Sequence, residues 1–336
     1  MSREGTARAI TPRSATVTEV ARWFVDEPGP LMVATHRNPD GDAIGSLLAV
    51  TRALRGAGRD AVMWHPDTPA VPEDLAFLLH DDESILSELP VDAGRRALVV
   101  LDCASVGRLS DHPPATLGRF VVNIDHHHDN GRFGDLNLVD GTASSTAEIV
   151  LQILDAAGWP LDKPIAEALH VGLVTDTGRL SYSNATPAAL RADARLVETG
   201  IDVAAIARRL YENLPIEQAR LMGIVYTKAQ LLLDGRLVVA VLDLEDFATA
   251  GTDDADGAAE ALRAIRGAEV GALVRHLHGG GIRASLRAAS DRVDVSAIAR
   301  VEGGGGHKAA AGVMSQRPAD DFVAWLSAAV EAQLDE

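Results

Sequence analysis

The stretch LMVATHRNPDGDAIGSLLAV, Leu31 to Val50, decides how the rest of the chain is read. The apolar run LMVAT ends at Thr35 and has the length and composition of a buried strand. Pro39 and Gly41 then shape a turn. Beyond it Ile44, Leu47, Leu48 and Leu54 recur at helical spacing until Gly56 and Gly58 offer a stop. A strand that feeds a helix through a tight turn is the repeating step of an α/β sheet. The turn itself carries His36, Asp40 and Asp42 in the pattern H-x-x-x-D-x-D. Taken alone, such a turn is more often a plain polar loop than a metal site, so the neighbouring segments have to decide.

The same alternation runs on either side. DAVMWH (60–65) is a second strand candidate, and ALVVL (97–101) and FVVNI (120–124) are continuous apolar runs of the kind buried on both faces. SSTAEIVLQILDAAG (144–158) opens on a capping box, Ser145 to Glu148, and ends at a glycine; PIAEALHVGLVTDTG (164–178) is a second helix-like segment. This pattern predicts a doubly wound, mostly parallel sheet over 16–185, after a flexible tail over 1–15. Residues 186–221 are rich in alanine, arginine and leucine at helical period and read as a helical connector. LLLDGRLVVAVLDL (231–244) has the signature of a hairpin with Asp234-Gly235 as its two-residue turn, and residues 269–277 and 282–289 supply further strands. A second, smaller α/β domain is expected over 222–336, with TDDADG (252–257) as a solvated loop.

A chain of 336 residues is comfortable as two domains, and 47% hydrophobic residues allow each a core. No apolar run approaches the roughly 20 residues that span a bilayer. Residues Met1 to Thr16 lack the apolar centre of a signal peptide, and the single Cys103 cannot form an internal disulfide, so a cytoplasmic protein without membrane contact is expected. The net charge of −17 argues against a protein that tracks long nucleic acid by counterion release, but not against one that takes a small phosphorylated substrate.

Four groups of side chains fall at one kind of place. His36, Asp40 and Asp42 follow the strand at 31–35; Asp102 follows 97–101; Asp125, His126 and His127 follow 120–124; Asp176 ends the segment that begins at 164. In an open parallel sheet, ligands bind outside the carboxyl ends of the strands. Carboxylates converging there would raise one another's pKa, and divalent cations remove that conflict. The mixed oxygen and imidazole donors, with no thiolate cluster, suit Mn²⁺, with Mg²⁺, Fe²⁺, Co²⁺ or Zn²⁺ as competitors. There are enough ligands for two ions. Paired ions about 3.5–4 Å apart generate a hydroxide nucleophile and clamp a phosphoryl oxygen, so the expected reaction is phosphoester hydrolysis.

THRNPDGDAIGS, LDCAS, NIDHHH and GLVTDTG resemble, in order, the four motifs of the DHH phosphoesterase superfamily, and GGGGHKAAAG (303–312) resembles the glycine-rich signature of its DHH-associated C-terminal domain. In size and layout the chain is most similar to the bacterial nano-RNase and pAp phosphatase group, which includes cyclic-dinucleotide phosphodiesterases. The resemblance implies two Mn²⁺ ions, with Mg²⁺ or Co²⁺ as substitutes. His36, Asp40 and Asp102 would hold one, and Asp42, Asp102, His126 and Asp176 the other, with Asp102 bridging. Asp125 would orient a histidine and His127 would face the scissile phosphate; Arg108 is a candidate phosphate clamp. His128 is read as rim. In the second domain, Gly304, Gly305, Gly306 and His307 would bind the terminal nucleotide, with Ser285 and Arg287 facing the same ligand. His307 and Lys308 are expected to open a small-residue helix whose N-terminus favours negative charge. The substrates implied are short oligoribonucleotides (two to five nucleotides), linear dinucleotides such as pApA, and pAp. Alternatives are a cyclic-di-AMP phosphodiesterase, an inorganic pyrophosphatase, a RecJ-like exonuclease and, in a different class, a catalytically silent nucleotide sensor. A homodimer is the default expectation for a soluble enzyme. Cys103 and the four tryptophans read as packing residues.

Overall fold

The computed structural model describes residues 9–27 and 29–335, with only the backbone of Ala115 and His307. The chain divides into two compact units between Asn213 and Leu214. The first contains β1 (Arg13–Ser14), α1 (Val17–Asp26), β2 (Leu31–Thr35), α2 (Gly41–Gly56), β3 (Ala61–Trp64), β4 (Ile85–Leu86), β5 (Ala97–Leu101), α3 (Val106–Leu109), α4 (Pro114–Leu117), β6 (Val121–Asp125), β7 (Leu136–Val139), α5 (Thr146–Ala157), α6 (Lys163–Asp176), α7 (Pro187–Glu198) and α8 (Val203–Tyr211). Among the described residues its strands form one seven-stranded sheet in the order β1-β7-β6-β5-β2-β3-β4, with every pair parallel. The chain runs outward from β2 to β3 and β4, then returns to β5 on the other side of β2. The switch point of this doubly wound sheet therefore lies between β2 and β5, where a crevice opens at the carboxyl ends.

Burial explains why the apolar runs became the central strands. All residues of β2, β5 and β6 are buried, as strands covered on both faces must be. Helices α2 and α5 lie against this sheet, and α6 packs on both of them. At the α2–α6 crossing a Cβ on Gly45 would sit 2.3 Å from the Ala168 carbonyl oxygen, so only glycine permits the approach.

The expected tail differs from the structure. Residues 1–8 lie outside the described residues, but Arg13 and Ser14 form β1, paired in parallel with Leu136 and Asn137. An edge strand of two exposed polar residues carries no hydrophobic periodicity. Strands β4 and β7 were likewise not anticipated. The connector expected over 186–221 is not a separate segment. Leu196 and Ile206, on α7 and α8, belong to the core of the first unit, whereas α9 (Ile216–Thr227) belongs to the second.

The second unit continues with β8 (Gln230–Leu232), β9 (Leu237–Leu242), α10 (Leu244–Ala250), α11 (Ala258–Arg263), β10 (Val270–His276), β11 (Ile282–Ala288), α12 (Val295–Val301), β12 (Gly305–His307), β13 (Ala310–Ser315) and α13 (Ala319–Leu334). Among the described residues these strands form a mixed sheet in the order β12-β13-β11-β10-β9-β8, in which only β9 and β10 are parallel. The hairpin at Asp234-Gly235 exists, but Leu232 pairs with Leu237, so four residues connect the strands and not two. Leu233, Asp234 and Gly235 all take left-handed backbone there.

The glycine-rich signature also departs from expectation. His307 and Lys308 do not open a helix; GGGGHKAAAG turns back on itself as the β12–β13 hairpin. Small residues that could have continued as a helix instead alternate between buried and exposed along β13, with Ala311 and Val313 facing the core. Period-two burial against β11 outweighs the helical propensity of three alanines.

Candidate metal centre

Register builds the site. Thr35, Leu101 and Ile124 occupy one row across β2, β5 and β6, held in part by the Thr35 hydroxyl donating to the Leu101 carbonyl at 2.9 Å. The next residues are His36, Asp102 and Asp125, so one imidazole and two carboxylates leave the sheet at the same level. The Asp102 amide donates to the Ile124 carbonyl at 3.0 Å, and Asp102 itself takes left-handed backbone with φ 53°. That conformation is costly for a residue with a side chain, though least so for Asp and Asn, and it turns the carboxylate back over the sheet edge. Asp40 caps α2, its Oδ1 accepting from the amides of Asp42 and Ala43 at 3.1 Å each. Asp42 enters from the first turn of that helix and Asp176 from the last residue of α6.

Asp102 lies between two histidines. Its Oδ2 is 3.5 Å from His36 Nε2, and its Oδ1 is 3.5 Å from His126 Nε2. His36 Nε2 is also 4.0 Å from Asp40 Oδ1, and His126 Nε2 is 3.5 Å from Asp176 Oδ2. Two groups could each hold a divalent cation: His36, Asp40 and Asp102, and Asp42, His126 and Asp176. The potential ligand atoms within each group lie within 4.8 Å of one another. Asp102, Asp125, His126 and His127 form a third, overlapping cluster.

The fit of a metal rests on one orphaned atom. His36 is 2% exposed, and its Nδ1 donates to the Arg37 carbonyl at 2.8 Å. That bond commits Nδ1 and leaves Nε2 as the nitrogen open to a ligand, buried without a hydrogen-bond partner and aimed at Asp102 and Asp40. A buried imidazole nitrogen that faces two carboxylates without a hydrogen bond is a position a cation would satisfy. Electrostatics agree. Burial, followed by the charges of Asp102, Asp176 and Asp40, pushes the Asp42 carboxyl well above the ordinary carboxylate range. Burial, then Asp102 and Asp40, pushes Asp176 up to about 7. Burial alone would raise Asp102 too, but the imidazoles of His36, His126 and His127 hold it below its ordinary value. Without cations, then, this cluster retains protons at neutral pH.

Behind the ligands sits a polar frame. Asp125 Oδ1 accepts from the His126 amide at 2.9 Å and meets His127 Nδ1 at 2.8 Å, while Asn130 donates to its Oδ2 at 2.5 Å. Burial opposes protonation of His127, but the bond to Asp125 and the charges of Asp125 and Asp102 raise its pKa to about 9. Arg108, on α3, brings Nη1 within 3.5 Å of His127 Nε2 and forms no ion pair among the described residues. Cys103 is buried, its thiol pushed up to about 12 by desolvation, which removes it as a thiolate ligand. His170 pairs with Asp193 at 2.6 Å, away from these clusters.

In the second unit, cross-strand register puts Gly305, Gly312 and Ser285 in one row and, two residues along the strands, His307, Ala310 and Arg287 in another. Gly304, Gly305 and Gly306 lead up to His307, whose side chain lies outside the described residues. Ser285 lines a cavity of about 270 Å³ with Arg275, Arg283 and the acidic loop at 253–256. Arg287 is not free to face a ligand as expected: its Nε donates to Glu260 at 2.5 Å.

Residues 30–173 match the DHH family, N-terminal domain, and residues 234–334 match the DHHA1 domain. The bifunctional oligoribonuclease and PAP phosphatase NrnA of Thermus thermophilus is 37% identical over 84% of this chain and 83% of its own length. This chain belongs to the DHH family. It is accordingly a metal-dependent hydrolase of phosphoester bonds. The Bacillus subtilis protein of the same name is 28% identical over 66% of the chain and 70% of its own length. An exopolyphosphatase-related protein from Bacteroides fragilis shares the fold, with a TM-score of 0.86 at 23% identity, covering 95% of this chain and 97% of that one.

Reading the sequence missed Thr146 and Asn130, which contact the site residues from outside the quoted motifs, and passed over Asn123 within NIDHHH, whose side chain accepts from Asn130. Asn130 also donates to the Asn123 side chain at 2.9 Å and the Cys103 carbonyl at 3.1 Å. A signal existed for Thr146: it opens a helix, and helix N-termini bind carboxylates.

Proposed function

We propose that this DHH hydrolase cleaves short oligoribonucleotides, linear dinucleotides such as pApA, and pAp, with two Mn²⁺ ions held by the His36–Asp40–Asp102 and Asp42–Asp102–His126–Asp176 sets. The observation that carries the reading is the Asp102 carboxylate, one oxygen toward His36 and the other toward His126. A carboxylate so placed can serve two ions at once. The oxygen and imidazole donors suit Mn²⁺, and Mg²⁺ or Co²⁺ are workable substitutes. Bound there, the ions would supply the Lewis acidity that activates water and neutralises phosphoryl oxygens.

The chain's own residues do the rest. Asp125 fixes the His127 ring through Nδ1, and Nε2, beside Arg108, would meet the substrate and hold a proton for the departing oxygen. Arg108 lies beside that nitrogen and can fork onto a non-bridging phosphate oxygen. Nucleotide recognition falls to Gly304, Gly305, Gly306, His307 and Ser285, with Arg287 joining only if it leaves Glu260. The likeness to relatives named as oligoribonuclease and PAP phosphatase supports these substrates over inorganic pyrophosphate or long DNA. A cytoplasmic homodimer completes the reading. Among the described residues, no helix is long and apolar enough to cross a membrane.

The test is a Mn²⁺ panel of pAp, pApA, a three-nucleotide RNA and cyclic di-AMP, with EDTA as control. Higher kcat/KM for the first three than for cyclic di-AMP supports the reading. Preference for the cyclic substrate would replace it with a cyclic-dinucleotide phosphodiesterase, and no turnover of any would revive a silent sensor.

A further inference from the structure

Residues 144–146 are three consecutive polar side chains with no solvent exposure. Ser144 and Ser145 have local duties. The Ser145 hydroxyl caps α5 by accepting from the Glu148 amide at 3.2 Å, and Ser144 donates twice to the Glu148 carboxylate, from its amide at 2.9 Å and its hydroxyl at 2.7 Å. Thr146 has no such duty within its own helix. Its amide donates to Asp42 Oδ2 at 2.6 Å, the Ala147 amide donates to Asp42 Oδ1 at 2.8 Å, and its hydroxyl donates to Asp102 Oδ1 at 3.0 Å. One residue thus reaches two carboxylates that arrive from α2 and from the end of β5. A third is tied in through backbone: Asn184 Nδ2 donates to the Ser144 carbonyl at 3.0 Å and to the Asp176 carbonyl at 3.1 Å.

The first amides of a helix carry partial positive charge and point outward, so they hold the Asp42 carboxyl in a fixed orientation and offset part of the burial that raises it. Each carboxylate oxygen has a second lone pair, so accepting from α5 leaves it able to ligate a metal. The bonds fix rotation of both carboxylates, which is where outer partners of metal ligands have their effect. Close packing keeps the clamp in place: a Cβ on Gly172 of α6 would lie 2.8 Å from Asp42 Oδ1 and 2.9 Å from the Ala147 Cβ.

We infer that Thr146, at the N-terminus of α5, is a positioning residue for metal binding: its amide and hydroxyl hold Asp42 and Asp102 in ligand geometry. The inference rests on the two-ion reading above. Thr146→Val keeps the branched shape and the amide but removes the hydroxyl that reaches Asp102; Thr146→Ser restores a hydroxyl. Mn²⁺ binding by titration calorimetry should weaken about 10- to 100-fold in Thr146→Val and stay within about threefold of the parent in Thr146→Ser. At saturating Mn²⁺, KM for pApA should be unchanged in both. Parent-like Mn²⁺ affinity in Thr146→Val overturns the clamp and leaves the two-ion reading standing. So does an equal loss in Thr146→Ser accompanied by a lower melting temperature of the metal-free protein, since that marks packing alone. A parent protein that binds no Mn²⁺, or an Asp102→Ala variant that binds it normally, takes down the two-ion reading and the clamp together.

Discussion

At the rim of the parallel sheet, His36, Asp42, Asp102 and Asp125 are each at most 2% exposed, and the one fully buried side-chain nitrogen or oxygen among them without a hydrogen bond, His36 Nε2, faces two carboxylates. At the β12–β13 hairpin the opposite holds. Gly305 and Gly306 are exposed, and what approaches is backbone. The rim concentrates charge that water would otherwise separate, and its chemistry lies in side chains fixed by their neighbours. On the function proposed above, the hairpin would offer a nucleotide the space and the peptide groups that its glycines leave open. Substitutions should therefore act differently at the two places: at the rim on turnover and metal, at the hairpin on nucleotide affinity.

The largest effect is expected from Asp102→Ala, which should lower kcat/KM by about three orders of magnitude or more on pApA and on bis-p-nitrophenyl phosphate alike. Retained hydrolysis of either substrate would break the contrast, because the rim would then not be where chemistry occurs. Gly172→Ala comes next. Its Cβ would crowd Asp42 Oδ1, so Mn²⁺ affinity should fall about 10-fold or more and stability by about 1–3 kcal/mol, measured by calorimetry and urea unfolding. Gly306→Ala tests the other side. Gly306 has φ 145°, and a Cβ there would sit 2.3 Å from the Ala310 carbonyl oxygen. KM for pApA should rise about tenfold while bis-p-nitrophenyl phosphate is hydrolysed at the parent rate; equal losses on both would erase the distinction.

The smallest effect concerns pH in the metal-free protein. The Asp42 and Asp176 carboxyls are raised in the folded state, Asp176 to about 7. A raised carboxyl favours folding while it is protonated. That contribution is fully present below the unfolded value near 4 and is lost as pH climbs through 7. In EDTA the melting temperature should fall by a few degrees between pH 5 and pH 8, and Asp176→Asn should flatten the slope. A melting temperature that rises over that interval in both proteins would show that the rim carries no surplus charge.

The same contrast governs what the sequence makes readable. The runs at 31–35, 97–101 and 120–124 are apolar because strands covered on both faces must be, and that need is written in residue type. Their terminal His and Asp residues stand out for the same reason. The hairpin is not written that way: GGGGHKAAAG suits a loop entering a helix as well as two short strands, and only pairing with β11 selects the strands. β1 was invisible because two exposed residues hold an edge by backbone alone. Arg287 stood on the expected face, but its ion pair with Glu260 joins residues far apart in the chain and could not be foreseen. Thr146 was hidden behind the capping signature at Ser145, whose reciprocal half does not form because Glu148 turns to Ser144.

The shared row of Thr35, Leu101 and Ile124 has a consequence for how the molecule matures. Successive residues of a strand point to opposite faces, so sliding β5 by one position against β2 would carry the Asp102 side chain away from His36 and His126. An off-register sheet could still be apolar, compact and rich in strand, but it would have no place for an ion. Capture of Mn²⁺ during refolding would then act as a checksum, reporting that three distant stretches of chain have paired in phase before any substrate is cut.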